Sequence, residues 1–588
     1  MDQLLTAWPL PLVFLAFGLS LLGALLLLAP GTSLLSRSIL LITAAFQLTA
    51  GIAILWLPEW TSRHIPFGRI LLTLQLDQAA GVWLTLCGGM LGILTLSGTL
   101  DLPRHRQILL LLAIGCVAAA ACQDDFLWLL MLVSCCGWLC IAALAEDISA
   151  SQFSPGGRWQ DLPVWCGLFV VADLAAIGGL KLLLASLPHL SLTQLQASHV
   201  WARMAEREPA MLSSAATLLW GMLVIRLGIY PAISWLKAAS RTTTATLVLI
   251  TLIWPANLLI WFRLLPMLQL APETRLMVAG LSAFSLVLLG FLACFLPAED
   301  VSETDRQQAT HQHHRRCLLY IAAGFNAIVC LGPIAAGTLE PNVFMVAAFA
   351  ACVGPALFML LLEFPNMRLL AVLAGGGMSA AVPGFGWCLD TAFHPSQLPA
   401  LANSLGWLTG LGQLLLWCGL LRVVSQIYRV HRSTARFFAA TFAAGLIGGL
   451  IAGICFPQTW GFGADPNMLL AAWAIPAFVL AVAAVRLHLI TPVETTRRNS
   501  LTRLAEQEFY LNDILEQAIA YPMWCLQLVM TYLADGLFLR GLPFATKAME
   551  SSTGEALEEL DAPAMRTMHW EVVLMTTLAL GLAVWVMG

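Results

Sequence analysis

The chain has 588 residues, of which 59 % are hydrophobic and only 11 % are charged, and its formal net charge at pH 7 is −4. This composition excludes a soluble globular protein, and we predict no soluble domain along the chain. The sequence carries no nucleotide-binding loop, no iron–sulfur cysteine pattern and no quinone-site signature. We therefore predict that the chain has no catalytic site and no cofactor of its own.

Long apolar stretches follow one another along almost the whole chain. A helix needs about 20 apolar residues to span a bilayer, and about sixteen stretches meet this criterion. Because open sheets leave backbone polar groups unsatisfied in lipid, the predicted fold class is an all-α polytopic membrane protein. The predicted spans lie near 10–29, 36–57, 77–99, 107–122, 126–145, 163–184, 212–230, 242–265, 275–296, 316–337, 341–362, 368–388, 404–427, 436–455, 468–490 and 568–587.

Basic residues cluster between alternate spans and set the expected topology. The positive-inside rule places these loops in the cytoplasm and both termini on the non-cytoplasmic side of the inner membrane. The first span is expected to be a retained helix, because no small-residue cleavage site follows it. The basic residues are Arg37, Arg104, Arg106, Lys237, Arg241, Arg315, Arg316, Arg368, Arg422, Arg429, Arg432, Arg436, Arg497, Arg498 and Arg503.

The segment around Arg226 carries the strongest functional signal. Arg226 lies in the seventh apolar stretch, five residues before Pro231, and a threonine run opens the next stretch. An arginine at membrane depth costs about 2.5–3.5 kcal/mol on insertion scales, so such a residue faces a partner or a water-filled path. A helix broken beside this charge is typical of ion-translocating membrane proteins.

A second break, in the twelfth span, predicts an internally repeated core. Three glycines precede Pro383 there, at a position that matches Pro231 in the seventh span. Interrupted helices at matching positions predict two inverted five-helix repeats. The predicted organisation is N-terminal helices (1–106), a first repeat (107–265), a second repeat (266–427), C-terminal helices (428–490), a lateral amphipathic segment (491–567) and a final span (568–588).

The lateral segment differs in kind from the spans. From Leu501 to Met549 it has the pattern of a long amphipathic helix, with a break expected at Pro522. Such a helix would extend on the order of 70 Å along the membrane surface. We expect it to act as a docking arm for a neighbouring subunit.

Six segments spaced along nearly the full length carry a family resemblance. They are CQDDFLWLLMLVSCCGWLC (122–140), LFVVADLAAIGGLKLLL (168–184), IRLGIYPAISWLKA (225–238), RRCLLYIAAGFNAIVCLG (315–332), GGMSAAVPGFGWCLDTAF (376–393) and EQEFYLNDILEQAIAYP (506–522). These segments resemble the antiporter-like membrane subunits of respiratory complex I, multisubunit sodium/proton antiporters and inorganic-carbon uptake systems, and most of all the distal, largest subunit of complex I. The resemblance implies other membrane subunits as partners, a soluble partner in some systems, and protons or monovalent cations as the transported species.

The resemblance also locates candidate residues of the first ion path. Asp173 matches a buried aspartate of the family, and Arg226 stands where the family has a lysine before the break. The family's fifth-span glutamate falls on Ser134. Arginine keeps its charge at every accessible pH and does not release a proton. The resemblance therefore implies that the scaffold is retained while part of the usual proton relay is replaced.

Further departures affect the rest of the path. The family's eighth-span histidine has no counterpart between Thr246 and Thr251, and the lysine near the second break falls on Asp390 or Thr391. The ion-pathway candidates are Asp173, Arg226, Ser134, Lys181, Asp390 and Thr391.

Each candidate in the first half also has a structural interpretation. Asp173 is expected to pair inside the bundle with Arg226 or Lys181, which would make either cation a structural partner. Ser134 could hydrogen-bond its own helix, and Lys181 could snorkel from its position near a span end.

Cysteines and histidines give no metal prediction. The fifteen cysteines lie mostly within spans, with no Cys-x-x-Cys, and are interpreted as small apolar helix residues. His311, His313 and His314 are interpreted as part of a solvated basic loop without cysteine companions.

Three functions remain open from the sequence. The first is a proton- or cation-translocating subunit resembling the distal subunit of NADH:quinone oxidoreductase. The second is the membrane subunit of an energy-coupled bicarbonate or carbon dioxide uptake system. The third is a structural scaffold that conducts no ion, because proton relays need titratable groups within hopping distance.

Overall fold

The computed structural model describes residues 9–28, 33–56, 63–67, 70–96, 102–150, 161–187, 191–192, 198–233, 235–296, 306–336 and 399–428, with scattered positions between 348 and 359 and at 505 and 518. The predicted second break at Pro383 and the candidates Asp390 and Thr391 lie outside these residues. So do nearly all of the C-terminal helices, the lateral segment and the final span.

Helices make up most of the described residues, as the composition predicted. They are α1 (Pro9–Leu28), α2 (Ser33–Trp56), α3 (Gln78–Leu96), α4 (Arg104–Ala121), α5 (Phe126–Ala150), α6 (Asp161–Ser186), α7 (Ser198–Arg207), α8 (Pro209–Leu227), α9 (Trp235–Ala239), α10 (Thr243–Val248), a π-helix (Leu249–Ile253), α11 (Trp254–Gln269), α12 (Pro272–Phe295), α13 (Arg306–Ala336) and α14 (Pro399–Tyr428).

The chain is a multi-pass membrane protein. Eight spans among the described residues are long and apolar enough to cross a bilayer, and they coincide with the second to ninth predicted spans. They are α2 to α6, α8, the continuous run from α10 to α11, and α12. Helices α1, α13 and α14 overlap the first, tenth and thirteenth predicted spans.

A short β-hairpin between α2 and α3 is a feature that the all-α prediction lacked. Strand β1 (Arg63–Phe67) pairs antiparallel with β2 (Ile70–Leu74). Only two residues separate the strands in sequence, which is the connection length of a tight hairpin. The segment is too short to span a bilayer, so strand pairing satisfies its backbone groups instead. Leu74 also bridges to Gln123, just ahead of α5.

The seventh span is interrupted after α8, where the sequence predicted a break. Gly228 ends α8 in the left-handed conformation, with φ 68°, which glycine adopts without steric cost. A Cβ at Gly228 would lie 3.0 Å from Leu236 Cδ2, so the close approach of α9 also requires glycine. The short helix α9 therefore packs directly beside the C-terminal end of α8.

The run from α10 to α11 forms the buried centre of the described bundle. Within this run, 94 % of the most apolar stretch is buried, a larger share than in any other described span. It contacts α3, α5, α8 and α13, while α6 packs against both α8 and α9. This arrangement brings the middle of α5, the middle of α6 and the end of α8 to one place.

Candidate functional site

A buried ion pair between α6 and α8 is the centre of the candidate site. The Arg226 guanidinium forms a salt bridge with Asp173 through Nη2 and Oδ1. The Arg226 side chain is 1 % exposed and that of Asp173 is 15 % exposed. The structure thus pairs Asp173 with Arg226, one of the two cations expected as its partner, and places another candidate, Ser134, beside them.

Ser134 bridges the two charged residues. Its hydroxyl donates to Asp173 Oδ1 at 2.8 Å and accepts from Arg226 Nη2 at 3.0 Å. The expectation that Ser134 would hydrogen-bond its own helix is therefore replaced by a cross-helix bridge. A short hydroxyl side chain on α5 can do this because α6 and α8 both approach α5 at this level.

Trp138, which the sequence analysis did not single out, completes the shell of Asp173. Its indole Nε1 donates to Asp173 Oδ2 at 2.7 Å, so both carboxylate oxygens accept hydrogen bonds. Trp138 lies four residues after Ser134, on the same face of α5. That spacing, next to a predicted buried aspartate, is the sequence signal that could have identified it.

Phe169 and Gly137 shape the space around the guanidinium. The Cζ atom of Arg226 lies 5.3 Å from the centroid of the Phe169 ring, within the range of a cation–π interaction. A Cβ at Gly137 would lie 3.1 Å from Phe169 Cε1 and 3.8 Å from Arg226 Nη1. The absence of a side chain at position 137 therefore leaves room for both the ring and the cation.

Local structure also favours a cation at position 226. Arg226 lies in the last turn of α8, where the helix dipole presents its negative end. The carboxylate of Asp173 compensates the remaining charge, because an uncompensated buried ion costs several kcal/mol. The pair can therefore persist in an apolar bundle, but neither partner can be removed without a large cost.

The other first-half candidates are not part of this cluster. Lys181 lies on the exposed side of α6, two turns beyond Asp173. At the eighth span, the hydroxyl of Thr246 donates to the carbonyls of Ala239 and Thr242, and that of Thr251 donates to Leu247. These threonines satisfy their hydroxyls on the backbone, in the stretch where the resemblance would have placed a histidine.

A second buried ion pair, between α3 and α11, was missed by the sequence analysis. Arg263 donates from Nη1 and Nη2 to the two carboxylate oxygens of Asp77, and its side chain is 1 % exposed. Asp77 also accepts from the Ala80 N–H at 2.9 Å and so caps α3. An arginine within the eighth predicted span was the available signal.

The histidine tract lies on a helix, not in the loop that we expected. His311, His313 and His314 belong to the first half of α13, and His313 is buried. His313 Nε2 lies 3.7 Å from Cys317 Sγ, one turn along the same helix. Among the described residues, no group of three or more potential ligands could hold a metal ion.

Comparisons with known proteins identify the fold. No family model and no curated protein matches the chain. A chain of the Mrp complex from Dietzia sp. DQ12-45-1b is similar with a TM-score of 0.57 at 16 % identity, covering 90 % of this chain and 62 % of that chain. This chain therefore spans less than two thirds of that Mrp chain.

A chain of the membrane-bound sulfane sulfur reductase, an archaeal respiratory membrane complex, has a TM-score of 0.56 at 15 % identity, covering 97 % of this chain and all of that chain. Respiratory complex I from Thermus thermophilus gives a TM-score of 0.48 at 15 % identity. The first two similarities show the fold of the chain. The chain has the fold found in the Mrp complex and in the membrane-bound sulfane sulfur reductase.

Proposed function

We propose that the chain is a membrane subunit of a multisubunit complex that moves protons or monovalent cations across the inner membrane. The observation that carries this proposal is the buried Asp173–Arg226 pair beside the interrupted seventh span. Charged residues inside a membrane bundle mark ion pathways by default, because their burial is otherwise costly. The fold shared with chains of two membrane complexes supports a subunit role.

In this proposal the two partners have different tasks. Arg226 supplies a fixed positive charge, because a guanidinium keeps its proton. Asp173 is the only titratable member of the cluster of Asp173, Arg226, Ser134 and Trp138. A proton or a cation that binds the carboxylate has to compete with Arg226. Ion binding at Asp173 is therefore coupled to separation of the pair, and an ion on Asp173 frees the arginine to move.

The test is flux through the intact complex. The complex is purified through a tag on this chain, reconstituted in vesicles, and assayed with proton- and sodium-sensitive dyes under imposed gradients. We expect Asp173→Asn to abolish flux and Arg226→Lys, which restores a titratable group, to keep or raise it. Glu206→Gln serves as the control, because Glu206 is exposed on α7 and is not an ion-pathway candidate. Flux at the wild-type level in both cluster variants would exclude this role.

A non-conducting scaffold is the second candidate, and the saturation of Asp173 favours it. Three donors occupy the two carboxylate oxygens, and position 134 carries a hydroxyl that does not titrate in the accessible range. In a scaffold, the same pair would only hold α6 against α8. Asp173→Asn would then lower the stability of the complex without changing flux per assembled complex.

The membrane location and the topology that we propose rest on the pattern of the sequence. We propose the inner membrane, both termini on the non-cytoplasmic side, and a lateral segment that holds a neighbouring membrane subunit. Single cysteines placed at Arg432 and at Asp465 should react with an impermeant thiol reagent from opposite sides. Equal reaction of both from outside would contradict the topology.

A further inference from the structure

Trp235 connects the short helix α9, beyond the break, to the end of α8. Its indole Nε1 donates to the Ile225 carbonyl at 3.0 Å. That carbonyl lies in the last turn of α8 and also accepts the Gly228 N–H at 3.3 Å, so Trp235 adds a second, side-chain cap to it. Ile225 immediately precedes Arg226, so Trp235 fixes the backbone that carries the buried guanidinium.

The same side chain also reaches Arg226 through a second route. The ring of Trp235 stacks on Trp165, with centroids 5.1 Å apart and planes inclined by 26°. It meets Phe169 edge to face, with centroids 5.7 Å apart and planes inclined by 90°. Phe169 in turn lies against the guanidinium of Arg226. All three rings are fully buried, so their contacts are not exchanged with solvent.

The aromatic cluster of Trp165, Phe169 and Trp235 also reaches Asp173, through Trp138. Phe169 packs edge to face against Trp138, with centroids 6.3 Å apart, and Trp138 donates to Asp173. A displacement of α9 would therefore act on both charges, through the backbone of Ile225 on one side and through Phe169 and Trp138 on the other. Packed aromatic rings transmit such displacements because a close-packed interior has no spare volume.

We propose that Trp235 is a positioning residue that couples the location of α9 to the Asp173–Arg226 pair. With α9 in place, the α8 terminus is capped and Phe169 holds the guanidinium on the carboxylate. When α9 moves away, the cap and the ring contacts are lost together and the pair loosens. The inference deepens the proposed function, because it names the element that would open the charge centre during ion movement.

Carbodiimide labelling of Asp173 tests the coupling without any assay of transport. A hydrophobic carbodiimide takes the proton of a neutral carboxyl group on nitrogen while the carboxyl oxygen bonds to its central carbon, and the adduct rearranges to a stable N-acylurea. In the closed pair Arg226, Ser134 and Trp138 occupy both carboxylate oxygens of Asp173, whereas loosening of the pair frees these oxygens for the reagent. The tagged chain is labelled within its native complex, and the modified peptide is quantified by mass spectrometry.

Four variants separate the coupling from general destabilisation. Trp235→Leu removes both the cap and the stacking, and Trp235→Phe removes the Nε1 donor while keeping a smaller aromatic ring beside Trp165 and Phe169. Trp254→Leu is the matched control: Trp254 is equally buried, and its Nε1 has no hydrogen-bond partner in the described part of the chain. Arg226→Met is the positive control, because it removes the partner of the carboxylate.

We expect labelling of Asp173 to rise about three- to tenfold in Trp235→Leu, because Arg226 and Trp138 then occupy the carboxylate oxygens for a smaller fraction of the time. Trp235→Phe should fall between wild type and Trp235→Leu, and Trp254→Leu should match wild type. Equal labelling in Trp235→Leu and Trp254→Leu would overturn the coupling. If Trp235→Leu does not assemble, unchanged labelling and unchanged pH dependence of labelling in Trp235→Phe would overturn it too.

These outcomes are distinct from those of the flux test. Flux that does not depend on Asp173 would remove the proposed function, yet labelling could still reveal the coupling of α9 to the pair. Labelling that does not depend on Trp235 would remove the coupling and leave the flux result as it stands.

Discussion

The guanidinium of Arg263 binds both carboxylate oxygens of Asp77, a residue 186 positions earlier in the chain. The pair joins α3, in the N-terminal helices, to α11, at the end of the first predicted repeat. A second contact joins the same two helices, because Trp83 Nε1 donates to the Pro255 carbonyl at 2.6 Å. These two attachments fix both the position and the rotation of α11 against α3.

Replacing Asp77 should lower the stability of the protein more than replacing Arg263. Asp77→Asn keeps the cap on α3, since asparagine is also a good N-cap, but leaves the buried guanidinium uncompensated. We expect it to cost about 3–5 kcal/mol of stability, as for other broken buried pairs. Arg263→Met should cost less, because the Asp77 side chain is 26 % exposed and water can solvate it.

Thermal unfolding of the purified protein in detergent measures both effects, and the double variant Asp77→Asn/Arg263→Met completes the cycle. The double variant should be more stable than Asp77→Asn alone. Additive losses in the cycle would show that the two side chains contribute independently.

The hydrogen bond from the Trp138 indole to Asp173 should add to the stability of the protein beyond the packing of the ring. Trp138→Phe removes the Nε1 donor to Asp173 Oδ2, and hydrogen bonds to charged groups contribute about 1.5–3 kcal/mol. Trp261→Phe is the matched control, because Trp261 is 1 % exposed and its Nε1 has no partner within the described structure. Both changes remove a similar volume, so the difference between their unfolding midpoints isolates the hydrogen bond. Equal midpoints would contradict a role for Trp138 in holding the carboxylate.

Residue types alone predicted part of this architecture. A charge in an apolar span needs a partner, which is why Asp173 and Arg226 could be paired before their helices were placed. The Asp77–Arg263 pair was missed because Asp77 is the first residue of the third predicted span (77–99) and looks like a simple helix cap. Arg263 lies near a span end, where arginine commonly reaches the interface. Only the packing of α3 against α11 makes the two meet.

Other features depend on packing in the same way. The π-helix at Leu249–Ile253 has no sequence signal, because its residues would also suit an α-helix. The burial of His313 depends on its neighbours from another helix, among them Arg422 of α14. A polar, basic stretch of sequence therefore suggested a loop where the chain forms a helix.

His313 should make stability depend on pH. It precedes the predicted tenth span, and burial, followed by the charges of Arg422, His314 and Arg316, holds the pKa of His313 well below its ordinary value of 6.5. Below pH 6.5 the unfolded chain binds a proton that the folded chain does not. The stability that the protein has with neutral His313 is therefore fully present above pH 6.5, and it is lost progressively as the pH falls below 6.5.

We expect the thermal unfolding midpoint of the wild type to decrease as the pH is lowered from about 7.5 to about 5.5. The decrease should be smaller in His313→Gln. The control is His311→Gln, because His311 is exposed on the same helix. The same pH dependence in wild type and His313→Gln would exclude His313 as its source.

Removal of the lateral segment should separate assembly from folding of the core. The last of the described helices, α14, ends at Tyr428, so a chain truncated after Pro492 retains α1 to α14. We expect the truncated chain to reach the membrane and to lose its neighbouring subunit during affinity purification. Native mass spectrometry of the purified complex gives the subunit count. An unchanged count would exclude the segment as a docking arm.

Two glycine substitutions should have opposite effects, and their contrast reports on the space around the cation. At Gly221 of α8 an added Cβ would have no heavy atom within 4 Å apart from its chain neighbours and the adjacent α8 backbone, so Gly221→Ala should be neutral or stabilise by about 0.5–1 kcal/mol. At Gly137 of α5 the added carbon meets Phe169 Cε1 at 3.1 Å, which requires the ring to move. Because that ring lies against Arg226, Gly137→Ala should destabilise the bundle by about 1–3 kcal/mol, as in other overpacked cores. Unfolding midpoints measured side by side decide the matter: if Gly137→Ala is as stable as Gly221→Ala, the ring and the guanidinium are not held as closely as the structure places them.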